Sequence, residues 1–96
     1  MKNVMLNEST CPKQEEGYML EELDGELLLY HLDQTKTIYL NSSAALVWNL
    51  CDGRSTVAEI IAFLQEEYPE ATAQMEHDVL EAVASLHQAG AVSLAE

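Results

Sequence analysis

The sequence predicts an α+β fold, a three-stranded antiparallel β-meander followed by three α-helices. Three observations carry that expectation. Short apolar and aromatic runs occupy residues 18–40, an Asp24-Gly25 pair separates the first two of them, and apolar residues recur at helical spacing after Asn41. The chain has 96 residues, 48% of them apolar, which suits one domain whose core needs neither metal nor disulfide.

Met1 to Gly17, "MKNVMLNESTCPKQEEG", has mixed polarity and no period, and reads as a flexible or loosely docked N-terminal arm over residues 1–17. From Tyr18 the runs "YMLEEL", "ELLLYHLD" and "TIYL" read as strands. A two-residue Asp-Gly connection suits a hairpin because both positions tolerate positive φ. It sets Leu23 opposite Glu26, Leu20 opposite Leu29 and Tyr18 opposite His31. A four-residue second turn over Asp33–Lys36 sets Leu32 opposite Thr37, Tyr30 opposite Tyr39 and Leu29 opposite Leu40. Side chains alternate, so one face gathers Leu20, Leu27, Leu29, Ile38 and Leu40, and the other Met19, Leu28, Tyr30, Leu32 and Tyr39. Both are apolar. One covers the helices; the other is a dimer patch or a docking surface, unless the register shifts by one residue.

The first helix is expected over Ser42–Asp52, with Asn41 or Ser42 as N-cap and Gly53 at the left-handed position beyond its end. Thr56 and Glu59 stand at capping-box spacing before the stripe Val57, Ile60, Ile61, Leu64 and Tyr68, and Pro69 closes the second helix. Thr72 is the expected cap of the third. Its stripe is Met75, Val79, Ala82, Val83 and Leu86, with a narrower line of Leu80, Ala84 and His87, and it closes at Gly90. "AVSL" after Gly90 suits a short final strand or a docked end.

Charge narrows the function classes. Seventeen acidic residues stand against four basic ones, a net charge of −13, and Lys2, Lys13, Lys36 and Arg54 are scattered. Nucleic acid and anionic membranes are disfavoured as partners, and a basic partner is favoured, although acidity also serves solubility. Cys11 and Cys51 show no metal or CxxC spacing and read as free thiols of a cytosolic protein. No signal peptide or membrane-length apolar run is present, so a cytoplasmic location is expected.

Catalysis has little to work with. Ser42-Ser43 caps a helix without a nucleophile context, the adjacent His77 and Asp78 point apart on a helix, and no phosphate loop exists. No enzyme activity and no cofactor are expected. A winged-helix transcriptional regulator is one alternative, but the third helix carries Glu76, Asp78 and Glu81 and no Lys or Arg. A structural homodimer through the Tyr30/Tyr39 face is another. The third predicted strand, Thr37–Leu40, is an unblunted edge, and such edges are templates for strand addition by an extended peptide. The opposing possibility is that the arm or a second copy covers it. A proline at Ile38 abolishes pairing if that N–H faces the edge.

The stretches "LNSSAALVWNLCDGRSTVAEI" and "HDVLEAVASLHQAG" resemble the PqqD family, named for pyrroloquinoline-quinone (coenzyme PQQ) biosynthesis and grouped with the RiPP recognition elements of ribosomally made, modified peptides. The matching positions are Leu40-Asn41, Ala44, Trp48, Leu50, Asp52-Gly53, Thr56, Glu59-Ile60, Asp78-Val79, Leu86 and Gly90. The resemblance implies a winged-helix-like, PqqD-like peptide-binding domain over residues 18–96. It implies a non-catalytic adaptor that holds the leader of a precursor peptide for a modifying enzyme, such as a radical S-adenosylmethionine maturase or a leader protease. The leader, expected to be basic, would add as a strand to Thr37, Ile38, Tyr39 and Leu40. It would touch the third helix through Leu80, Val83, Ala84 and His87, side chains chosen by helical geometry.

Overall fold

Asp24 and Gly25 take φ values of 53° and 83°, the pair of positive values that a type I′ hairpin turn requires. In the computed structural model, which describes residues 6–95, this turn joins β2 (Tyr18–Leu23) to β3 (Glu26–His31) in the expected register. A strand β1 (Cys11–Gln14) precedes them, so the strand expected third is β4 (Lys36–Leu40). The three-stranded sheet has the order β2-β3-β4, antiparallel throughout, and both outer strands are edges of it.

The second hairpin differs from the expected register by two residues. His31 stands opposite Lys36, Leu29 opposite Ile38 and Leu27 opposite Leu40, so the turn comprises residues 32–35. The cause is local. Nδ1 of His31 accepts the amides of Asp33 and Gln34, each at 3.1 Å, and closes the turn before Leu32 can pair with Thr37. Thr35 completes the reversal at φ 49°, a conformation costly for a β-branched residue. Because side chains alternate with period two, a two-residue slip leaves the faces as expected. Leu29 is fully buried on the inner face, with Leu20, Ile38 and Leu40 packed beside it. Met19, Leu32 and Tyr39 are exposed on the outer face, although Leu28 is buried there.

After β4 come α1 (Ser42–Leu50), α2 (Val57–Glu67), a 3₁₀ turn over Pro69–Ala71, α3 (Thr72–Gln88) and β5 (Val92–Ala95). Asn41 caps α1, its Oδ1 accepting the Ala44 amide at 2.8 Å. The helix stops two residues sooner than expected. Asp52 Oδ1 collects the amides of Arg54 and Ser55, so Gly53, at φ 80°, serves that turn and not the helix end. Thr56 and Glu59 form the expected capping box on α2. Thr72 is not the cap of α3 but its first residue, and its hydroxyl donates to the Pro69 carbonyl at 2.8 Å. The expected stripe of α3 is buried in full, and with Trp48, Val57, Ile60 and Leu29 it forms the core. Among the described residues no helix is long and apolar enough to cross a membrane.

The segment read as a loose arm is largely built into the body, while residues 1–5 lie outside the described residues. β1 pairs antiparallel with β5, from Cys11 opposite Ala95 to Gln14 opposite Val92. The carbonyls of Thr10 and Glu8 accept the amides of Val57 and Ala58 at 2.8 and 3.0 Å. Together with Thr56 they satisfy the first amides of α2, which have no partner within the helix. These ties run mainly through backbone atoms, which leave no apolar period in the sequence.

A chain shortened to begin at Tyr18 should therefore lose about 3 kcal/mol or more of unfolding free energy, from uncovering Val92 and Leu94 and unpairing the α2 amides. Urea denaturation measures this, and an unchanged midpoint would mean the segment is a mere appendage. Conversely, Thr35→Gly should stabilise the fold by about 1 kcal/mol in the same assay, by relieving the left-handed threonine.

Candidate functional site

Which backbone groups β4 offers to a partner follows from one hydrogen bond. The Leu32 amide donates to the Gly17 carbonyl at 2.9 Å, which makes 17/32 a hydrogen-bonded pair of the β2–β3 ladder. Such pairs recur at alternate positions, so residues 26, 28 and 30 of β3 turn their amides and carbonyls toward β2. Leu27, Leu29 and His31 must then turn theirs toward β4, where they meet Leu40, Ile38 and Lys36. Thr37 and Tyr39 are left with both backbone groups pointing off the sheet. The Ile38 amide faces β3, so the condition attached to a proline there is not met: it would break the sheet and leave the open edge in place.

Beside this edge runs a groove of about 220 Å³ between β4 and α3. Ile38, Tyr39 and Leu40 form one wall; Asp78, Glu81, Ala82 and Ser85 form the other; Asn41, Ser43 and Ala44 close the end where α1 begins. The floor is apolar, from Leu86 and the inner-face side chains of β4, while the helix wall carries two carboxylates. Lys36, the cation of β4, is drawn away from it, its Nζ donating to the Ala89 carbonyl at the end of α3. The groove thus presents strand backbone, apolar floor and negative charge together.

Of the residues singled out in the sequence, Ile38, Tyr39 and Leu40 line this groove and Thr37 shares its edge. The four chosen on the third helix do not line it. Val83 is fully buried in the core, Leu80 is half-buried against it, and Ala84 and His87 are exposed on the other flank of α3. The core stripe of α3 has a flank on each side. One is Leu80, Ala84 and His87; the other, through Asp78, Glu81 and Ser85, is the one turned to β4. Periodicity defines both flanks but not which faces the sheet. The apolar flank invited the choice, yet the open groove is bordered by the polar one.

Neither thiol offers chemistry to this site. Burial pushes the Cys51 thiol up to about 12, with the charge of Asp52 adding to the effect, and its Sγ donates to the Val47 carbonyl. The Asp52 carboxyl is held below its usual range by the amides of Arg54 and Ser55. Cys11 is partly exposed on β1. Among the described residues no group of His, Cys, Asp and Glu side chains is arranged to hold a metal ion. A thiol reagent at pH 8 should modify Cys11 quickly and Cys51 only on unfolding, as mass spectrometry of the two peptides would read. Because the folded value of Cys51 lies above the unfolded one, its contribution to stability is complete below about pH 9 and is lost as pH rises toward 12.

Comparison with known proteins follows the same elements. The family described as "Coenzyme PQQ synthesis protein D (PqqD)" matches residues 26–92, from the start of β3 to the start of β5, which takes in both walls of the groove. A Klebsiella pneumoniae protein named PqqA binding protein is 40% identical over 68 residues, covering 68% of this chain and 70% of that one. A protein of the same name from Pseudomonas syringae pv. tomato is 40% identical over 58 residues, covering 60% of this chain and 59% of that one. Among solved structures, the PqqD truncation of Methylobacterium extorquens PqqCD, described as a functional and stand-alone RiPP recognition element, superposes with a TM-score of 0.73 at 28% identity, over 93% of this chain and 95% of that one. TbiB1, solved in complex with the TbiA(beta) leader peptide, shares the fold at a TM-score of 0.65 and 20% identity, over 84% of this chain and 94% of that one.

Proposed function

This chain belongs to the PqqD family, and from that premise we propose that it is a non-catalytic adaptor for a ribosomally made precursor peptide. It binds the leader segment by strand addition at β4 and presents the peptide to a modifying enzyme, a radical S-adenosylmethionine maturase or a leader protease. The observation that carries this reading is the open backbone of Thr37 and Tyr39 beside a groove with an apolar floor and an acidic wall. A strand added there meets donors and acceptors already aligned, and its alternate side chains enter the groove. Asp78 and Glu81 favour a leader with basic residues and speed its capture. The Klebsiella relative is named for binding PqqA, and TbiB1 was solved with a leader peptide, which supports the same class of ligand. A DNA-binding role has no comparable support, since α3 carries no Lys or Arg.

Amide NMR during titration with the Klebsiella PqqA peptide, and with peptides from short reading frames beside this gene, tests the reading. Shifts should concentrate on Thr37–Leu40 and on Asp78, Glu81 and Ser85. Tyr39→Pro removes an outward donor and should weaken binding about tenfold or more while the sheet persists. Ile38→Pro should instead lower stability, because its amide bonds β3. Shifts on the outer sheet face, or binding indifferent to Tyr39→Pro, would rule out strand addition.

A further inference from the structure

A second cavity, of about 250 Å³, lies where α1, the end of α2 and the start of α3 converge. Its walls are Leu46, Val47, Leu64, Met75 and Val79, with Tyr68 and Ala71 at the rim. Ser43 and Asp78 line both this cavity and the β4–α3 groove, so the two adjoin at the first turn of α1. An apolar cavity of about 150 Å³ already accepts a benzene ring. This one therefore has room for a large aliphatic or aromatic side chain.

We propose that the bound peptide runs on past Leu40 and seats one bulky apolar side chain in this second cavity. The inference rests on strand addition at β4. Pairing ends where α1 begins, so the peptide leaves the strand conformation beside Ser43. From Ser43 to Val47 is one helical turn, about 6 Å, which an extended chain covers in about two residues. The anchor therefore stands a few residues beyond the paired segment. Asp78 sits at the passage between the two cavities, and its carboxylate has no hydrogen-bond or ion-pair partner among the described residues. It selects a basic residue between the strand segment and the anchor. The recognised ligand is thus a three-part peptide: a strand-forming segment, a cationic residue and a large apolar anchor.

The probe is a phage-displayed library of random peptides long enough to span both cavities, selected on the full chain. Selection is repeated on Leu46→Glu, which puts a carboxylate at the mouth of the second cavity, and on Ala71→Phe, which fills it from the rim. Both side chains are solvent-exposed and neither belongs to β4, so the fold is retained. Enriched peptides should share an apolar residue at fixed spacing from a strand segment. That residue should vanish from selections on either variant. Affinity of the enriched peptides should fall about tenfold on the variants, while an alanine-at-anchor version binds all chains equally. Strand-forming peptides without a fixed anchor overturn the inference and leave strand addition standing. Peptides insensitive to Tyr39→Pro overturn both.

Discussion

The hydrogen-bond polarity of the sheet is the constraint on which the rest depends. It originates in Asp24-Gly25, whose two positive φ values permit a two-residue connection. That connection makes Leu23/Glu26 a bonded pair, and alternation then dictates the direction of every amide in β3 and β4. The side-chain period is the same, so the residues whose backbone faces outward, Thr37 and Tyr39, keep their side chains off the core. Ile38 and Leu40 do the reverse: their backbone completes the sheet and their side chains floor the groove. One turn thus separates, along a single short strand, the residues that complete the sheet from those that leave backbone groups open.

A second set of constraints holds the groove open. Lys36 fastens the near end of β4 to the last carbonyls of α3, and Asn41 starts α1 directly at the far end. The strand is thus tied to α3 at one end and runs straight into α1 at the other, and the groove lies between β4 and α3. The N-terminal segment works at a distance: β1 pairs with β5, and the carbonyls of Glu8 and Thr10 ahead of it finish the start of α2, which packs against α3.

Much of this was legible in the sequence, for identifiable reasons. Element order, sheet faces and the core stripe of α3 depend on periodicity, and periodicity is written in single residues. The register of the second hairpin was not legible, because it is decided by a side chain, His31, that closes the turn through two backbone amides. β1 and the residues before it leave no such pattern for a related reason: the ties run through the carbonyls of Glu8, Thr10 and Pro12, and carbonyls are the same in every residue. The edge position of β4 is legible because an edge announces itself by its place in a meander. The helix wall is not. Choosing between the Leu80 and Asp78 flanks requires knowing how α3 is rotated over the sheet, and the two flanks are symmetric about the core stripe.

An open apolar edge is ordinarily a liability, since two copies can pair through it. Two properties of this chain oppose that outcome and favour a different guest. On β4 only Thr37 and Tyr39 offer outward backbone, so a ladder between two copies through this edge would be short. With a net charge of −13 on each molecule, and with Asp78 and Glu81 beside the edge, like charges accumulate as two copies approach. An extended cationic peptide meets the same field with the opposite sign and has no folded body to clash. The acidity therefore acts as a filter at the open edge: the electrostatics that disfavour a second copy of this acidic chain favour a cationic strand in the proposed mode of binding.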